Sequence, residues 1–176
     1  MTQVEKWDVF ELALQGRQER NPFTDYEIHG IFYHKKETLT VNGFYDGNGI
    51  YRIRFMPSYE GEYTYEVSGS FSPETFSGRF TAIPPSKNNH GPVRAANRFY
   101  LEHQDGTPHH SCGTTCYAFA LQETEIIEQT FQELEKGYFN KMRFCLMPKH
   151  YDFCLQDPPV FPYEGIPMDA SFLTRE

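Results

Sequence analysis

Through most of the first half of the chain, apolar residues recur at every second position, the period of a half-buried β-strand. Trp7 and Val9 begin one alternation, and the apolar set then continues as Phe10, Leu12 and Leu14 on the opposite parity. That shift predicts a bulge or a change of face near Val9-Phe10. Asn21-Pro22 reads as a turn, and Tyr26, Ile28, Ile31 and Phe32, broken at Gly30, as the next strand. Leu39, Val41 and Phe44 follow, closed by the strong turn signal Asp46-Gly47-Asn48-Gly49. From Ile50 to Phe55, Tyr51, Ile53 and Phe55 share one face, with Arg52 and Arg54 on the other. Tyr63, Tyr65 and Val67 are set in the same way against Glu62, Thr64 and Glu66. Short strands at regular spacing predict an antiparallel, immunoglobulin-like β-sandwich over residues 1–85. Gly61-x-Tyr63 followed by Tyr65 has the pattern of a tyrosine corner, in which a phenol closes the turn before a late strand.

The stretch IPPSKNNHG from Ile83 to Gly91 has no periodicity, and the domain boundary is placed there, with residues 86–98 as linker. Beyond it the pattern changes. Phe99 to His103 leads through Asp105-Gly106 into a return strand ending at Gly113-Thr114-Thr115. Thr124 is placed to cap a helix from about Glu125 to Lys136, whose stripe is Ile126, Ile127, Thr130, Phe131 and Leu134. Gly137 stands where a left-handed residue would end it. Lys141 to Met147 reads as a strand, continuously apolar from Phe144, as when both faces are buried. Strand, helix and strand make one βαβ unit with parallel strands. Lys149 to Glu176 is broken by Pro158, Pro159, Pro162, Gly165 and Pro167 and reads as loop, with no third strand.

Charge narrows the choice of partner. A net charge of −8 argues against nucleic acid and against an anionic membrane surface. There is no apolar run of bilayer length, no basic-then-apolar leader and no N-x-S/T sequon, so a cytoplasmic protein is expected. Cys112, Cys116, Cys145 and Cys154 are then thiols, expected to act as small buried apolar groups. Their C-x3-C and C-x8-C spacings are not those of zinc sites, even with His109, His110 and His150 nearby, so no metal is expected. The 16 Phe and 12 Tyr suit a β core; sugar-stacking platforms are the functional alternative.

Arg143 is the most informative single residue. On a strand buried on both sides it shares a face with Cys145 and Met147, and a guanidinium there needs a carboxylate or a water-filled cavity. Two readings stand: an active-site arginine bonded to a catalytic carboxylate, or a structural ion pair. Thr114, Thr115, Cys116 and Tyr117 end the first parallel strand, and Lys149, His150 and Tyr151 end the second. Carboxyl ends of strands are where α/β folds keep their sites, although His150 taken alone reads as an ordinary loop histidine. No phosphate loop, dinucleotide-binding glycine pattern, serine elbow or H-E-x-x-H motif is present, and no cofactor is expected. A Cys116 nucleophile with His150 as base is a further option.

Several motifs carry a resemblance. They are Asn88-Asn89-His90-Gly91-Pro92-Val93, Asp105-Gly106-Thr107-Pro108, Gly113-Thr114-Thr115-Cys116-Tyr117-Ala118, Phe139-Asn140-Lys141-Met142-Arg143, Pro148-Lys149-His150-Tyr151 and Tyr163-Glu164-Gly165. The chain resembles bacterial glycoside hydrolases in which a sandwich of the domain-of-unknown-function 5060 type precedes a clan-A-like (β/α)8 barrel. The resemblance implies that residues 99–176 are the N-terminal part of that barrel. It implies that Arg143 supports a nucleophilic carboxylate and that Thr115, Tyr117, Arg143, His150 and Tyr151 line a carbohydrate-binding mouth. The catalytic carboxylates of that family lie on later strands. Glycoside hydrolysis needs two carboxyl groups facing each other across the scissile bond, and Glu102, Glu123, Glu164 and Asp169 read instead as surface or loop carboxylates. The expectation is therefore a chain truncated after the second barrel strand, inactive alone, that self-associates or pairs with a complementing C-terminal chain. The alternative is a non-enzymatic sandwich that binds carbohydrate or protein.

Overall fold

The computed structural model describes residues 2–145 and is mainly β. It divides into two compact units, 1–109 and 110 onward.

The first unit contains β1 (Thr2–Glu5), β2 (Phe10–Gln15), the single helical turn α1 (Pro22–Asp25), β3 (His29–His34), β4 (Glu37–Asn42), β5 (Phe44–Tyr45), β6 (Ile50–Phe55), β7 (Gly61–Ser68) and β8 (Phe76–Ile83). One sheet has the order β1-β8-β7-β3-β4, and the other β2-β6-β5. All pairings are antiparallel except β1 with β8. The change of parity at Val9-Phe10 turns out to be a change of sheet. Trp7, expected within a strand, instead has φ 71° and turns the chain from β1 in the first sheet to β2 in the second. Val9, freed of strand duty, is 52% exposed.

The two sheets meet over one core. Phe32, Tyr63, Val67, Phe80 and Ala82 come from the five-stranded sheet, and Phe10, Tyr51, Ile53 and Phe55 from the three-stranded one. Stacked ring pairs join the layers, Phe32 with Phe55 at 4.1 Å and Phe10 with Phe80 at 4.2 Å. Each ring removed from water contributes about 1.5–3 kcal/mol. Outside the core, the polar face of β6 is charge-matched: Arg52 pairs with Glu11 and Asp46, and Arg54 with Glu11. Gly69, at φ +151°, lets the chain pass Glu27, because a Cβ there would stand 2.1 Å from the Glu27 carbonyl oxygen.

Tyr63 closes the turn before β7. Its hydroxyl accepts from the Tyr59 N–H at 3.1 Å and donates to Glu37 Oε1 at 2.5 Å. Burial, reinforced by the Glu37 carboxylate, pushes this phenol well above its ordinary range.

Past residue 85 the first unit continues. Asn89 Nδ2 donates to Glu5 Oε2 and to the Lys6 carbonyl, both at 3.1 Å. β9 (Val93–Ala96), β10 (Tyr100–His103) and β11 (Pro108–His109) form a three-stranded antiparallel sheet. β9 lies in the stretch read as linker, because its outer residues are too exposed to give an alternating pattern. The return strand stops at His109 rather than Thr115.

In the second unit, β12 (Gly113–Thr115) pairs in parallel with β13 (Lys141–Arg143), with α2 (Thr124–Glu135) between them. Glu123, not Thr124, occupies the N-cap, and without a side-chain cap bond. Gly137 does not take the left-handed conformation. Instead the helix end tightens, with the Gly137 N–H bonding the Leu134 carbonyl at 3.1 Å. Among the described residues no helix is long and apolar enough to cross a membrane.

Candidate functional site

The register of the parallel pair builds the site. Gly113 aligns with Lys141, Thr114 with Met142 and Thr115 with Arg143. Aligned residues of neighbouring strands share a face, so Thr115 and Arg143 stand side by side. Two further bonds carry the pairing past the strand ends: Cys116 N–H to the Arg143 carbonyl and Cys145 N–H to the Tyr117 carbonyl, each 2.9 Å. Tyr117, two residues after Thr115, returns to the same face. Its ring lies 5.4 Å from Arg143 Cζ, and its hydroxyl accepts from Arg143 Nη2 at 2.9 Å.

Asn140 fixes the amino ends. Its side-chain oxygen accepts from the Cys112 N–H at 2.9 Å, its amide donates to the His110 carbonyl at 2.8 Å, and its own N–H donates to the Cys112 carbonyl at 2.9 Å. In the motif Phe139-Asn140-Lys141-Met142-Arg143 the spacing alone gives Asn140 no task. A side chain able to imitate both partners of a backbone ladder, placed directly before a strand, was the available signal.

The other side of the pair is apolar. Phe119 packs edge-on against Phe131 of α2 at 5.0 Å and against Phe144 at 5.6 Å. The expected stripe on α2 is present, yet Ile126 and Phe131 remain 46% and 50% exposed. The expectation that Arg143 lies on a strand buried on both faces is not met. Arg143 and Thr115 are exposed, since among the described residues β12 and β13 form a sheet of two strands only. Among the described residues its side-chain partner is the Tyr117 phenol and not a carboxylate.

Of the predicted site residues, the structure therefore brings Thr115, Tyr117 and Arg143 together. His150 and Tyr151 lie outside the described residues, as do Lys149, Cys154, Glu164 and Asp169. Cys112, Cys116 and Cys145 are free thiols, but Cys112 is exposed and the other two are half-buried, so they are not the buried apolar groups expected. The Cys116–His150 pair falls partly outside the described residues. Glu102 pairs with Arg94, and Glu123 is exposed at the start of α2.

A second polar cluster, in the first unit, gathers the motif residues near 90 and 105. His90 Nδ1 bonds Asp105 Oδ2 at 2.8 Å. That bond, with the Thr107 N–H, holds the Asp105 carboxyl down at about 2. His103 Nδ1 donates to the Gly91 carbonyl at 3.0 Å, which leaves its Nε2 to accept from His109 Nδ1 at 3.3 Å. Among the described residues, no group of three or more His, Cys, Asp or Glu side chains is disposed to hold a metal ion.

Comparison with known families adds to this geometry. Residues 3–70 match the family described as "Domain of unknown function (DUF5060)". Over 93% of its length the chain is also similar to the crystal structure of a "putative glycoside hydrolase" from Bacteroides vulgatus ATCC 8482, at 38% identity and a TM-score of 0.83. The chain spans 32% of that protein's length. No curated protein matches the chain. The resemblance read from the sequence thus holds: residues 3–70 are similar to DUF5060, and the chain as a whole to about a third of a protein of that description.

Proposed function

We propose that this chain is the N-terminal portion of a glycoside hydrolase acting on carbohydrate. On this reading the two packed sheets of the first unit are an immunoglobulin-like sandwich. The β12–α2–β13 segment is the first βαβ unit of a (β/α)8 barrel. Supporting the sandwich is the Tyr63 hydroxyl reaching back to the Tyr59 N–H, as in a tyrosine corner. Supporting the barrel is the parallel pair whose carboxyl ends carry Thr115, Tyr117 and Arg143 on one face, where barrel enzymes keep their sites. That cluster, joined to the 38% identity, is the observation that carries the reading.

Chemically, Arg143 is a positioning residue. Its guanidinium spends one donor on Tyr117 and has the rest of its fork for a carboxylate supplied by a later strand. Thr115, on the same face, offers a hydroxyl to a sugar. Hydrolysis needs a pair of carboxyl groups either ~5 Å or ~6.5–9.5 Å apart, and this reading assigns both to later strands. The 176-residue polypeptide is then expected to cleave no p-nitrophenyl glycoside, whereas a polypeptide extended by further βα units cleaves at least one. In the extended protein, Arg143→Ala lowers kcat about a hundredfold or more with little change in stability. Loss of stability without loss of turnover would make Arg143 a structural residue.

One observation favours a second reading, a non-enzymatic binding sandwich. The buried residues of the main hydrophobic cluster, Phe10 to Ala82, all come from the two packed sheets and the loops that join them. Glycan binding by the chain, with no activity from any extended form, would favour it.

A further inference from the structure

We propose that the first unit carries a binding cleft for a single neutral sugar ring, separate from the Thr115–Tyr117–Arg143 cluster. The cleft has a volume of about 250 Å³ and is lined by Tyr26, Glu27, Ile28, His29, Asn42 and Gly43. It opens where β3 begins and β4 ends. There His29 aligns with Asn42 on one side and Ser68 on the other, so the three stand in a row across the outer face of the sheet. Ile28, the next residue, turns inward and is 3% exposed.

The chemistry of the lining selects the ligand. His29 Nε2 bonds Ser68 Oγ at 3.2 Å, which fixes the ring and leaves Nδ1 unspent. Among the described residues, neither the Glu27 carboxylate nor the Asn42 side-chain amide bonds another protein group, and Glu27 uses only its backbone, toward Ser70 and Phe71. A carboxylate, an amide and an imidazole with free capacity, beside the half-buried Tyr26 ring, suit a molecule made of hydroxyls on a small apolar frame. No Lys or Arg lines the cleft, so a phosphate or carboxylate ligand would meet only Glu27's repulsion. One carboxylate is too few for calcium, which takes 6–8 oxygens. At about 250 Å³ the space falls below the ~300–1,000 Å³ of ordinary small-molecule pockets, which suits one pyranose better than an oligosaccharide.

This inference rests on the carbohydrate reading above, but it can fail separately from it. The test is an amide-resolved NMR titration of the full 176-residue chain with the methyl pyranosides of glucose, galactose, mannose and xylose. At least one is expected to give saturable shifts at residues 26–29, 42 and 43, with a Kd of about 1 mM, an affinity fitting a few exposed hydrogen bonds. Glu27→Gln and Asn42→Ala, each with an otherwise unchanged spectrum, should weaken binding about tenfold. Absence of saturable shifts with all four glycosides would overturn the cleft. So would shifts mapping only to Thr115, Tyr117 and Arg143, or binding indifferent to both substitutions. None of those results touches the hydrolase reading, which stands or falls on turnover by the extended protein.

Discussion

Tyr63→Phe isolates one hydroxyl at the turn that leads into β7. The ring would stay where it is, stacked 5.2 Å from Phe80 and 4.6 Å from His34, so the packing term cancels. What goes is a bond from a neutral N–H and a bond to a carboxylate. Net worths of about 0.5–1.5 kcal/mol for the first and about 1.5–3 kcal/mol for the second give a loss of roughly 2–4 kcal/mol. For a unit of this size that is a fall in Tm of roughly 8–16 °C. Urea unfolding followed through Trp7, the lone tryptophan, reads it directly, because the Trp7 N–H bonds the Pro57 carbonyl close to the turn concerned. Glu37→Gln keeps an acceptor but removes the charge and should cost about half as much. The double variant should cost less than the sum of the two single ones, since they share the Tyr63–Glu37 bond. A Tyr63→Phe protein within ~0.5 kcal/mol of the parent would refute the view that this phenol clamps the turn.

Asp105, held at about 2 against an ordinary 3.8, binds protons less readily folded than unfolded. Its contribution is therefore fully present above about 4 and is lost as pH falls toward 2; Asp105→Asn should reduce stability at pH 6 and converge with the parent in acid melts. Gly69→Ala should be destabilising out of proportion to its size, because φ of +151° and a carbonyl 2.1 Å from the new methyl are both unfavourable; an unchanged urea midpoint would contradict the backbone geometry. With Ile126 and Phe131 about half exposed, the chain is expected to self-associate in sedimentation at rising concentration, and a Phe131→Ser chain to do so less; a parent that stays monomeric throughout would argue against an uncovered apolar face.

The first unit was legible where alternation was strict. Tyr51, Ile53 and Phe55 are buried and Arg52 and Arg54 charge-paired outside, as the period of two requires. Thr2–Glu5 was missed because a strand of Thr, Gln, Val and Glu has no apolar period; its place comes from parallel pairing with β8, which is a tertiary fact. The shift of parity at Val9-Phe10 was visible as a discontinuity, but periodicity cannot tell a change of face from a change of sheet. The short helical turn at Pro22–Asp25 was read only as a turn, although Asn21 caps it by accepting from the Phe23 N–H. The polar lining of the cleft left no mark in the sequence, since Glu27, His29 and Asn42 meet only through strand pairing.

The second unit reverses that relation between pattern and burial. Its parallel strands and its helix are legible in the sequence, and the structure sets Thr115, Tyr117 and Arg143 close together, while the burial expected of Arg143 is absent. Continuous apolar sequence is a statement about what a strand is made to be covered by, and only neighbouring strands and helices can supply the cover. The same argument bears on Arg143. A buried guanidinium must have a carboxylate at once or pay several kcal/mol. An exposed one resting on a phenol has no such requirement, and among the described residues its position is set by the β12–β13 register and Tyr117. Register and ring together hold the cation at the carboxyl end of the pair, and on the proposed barrel reading this leaves its other donors directed to a carboxylate of a later strand.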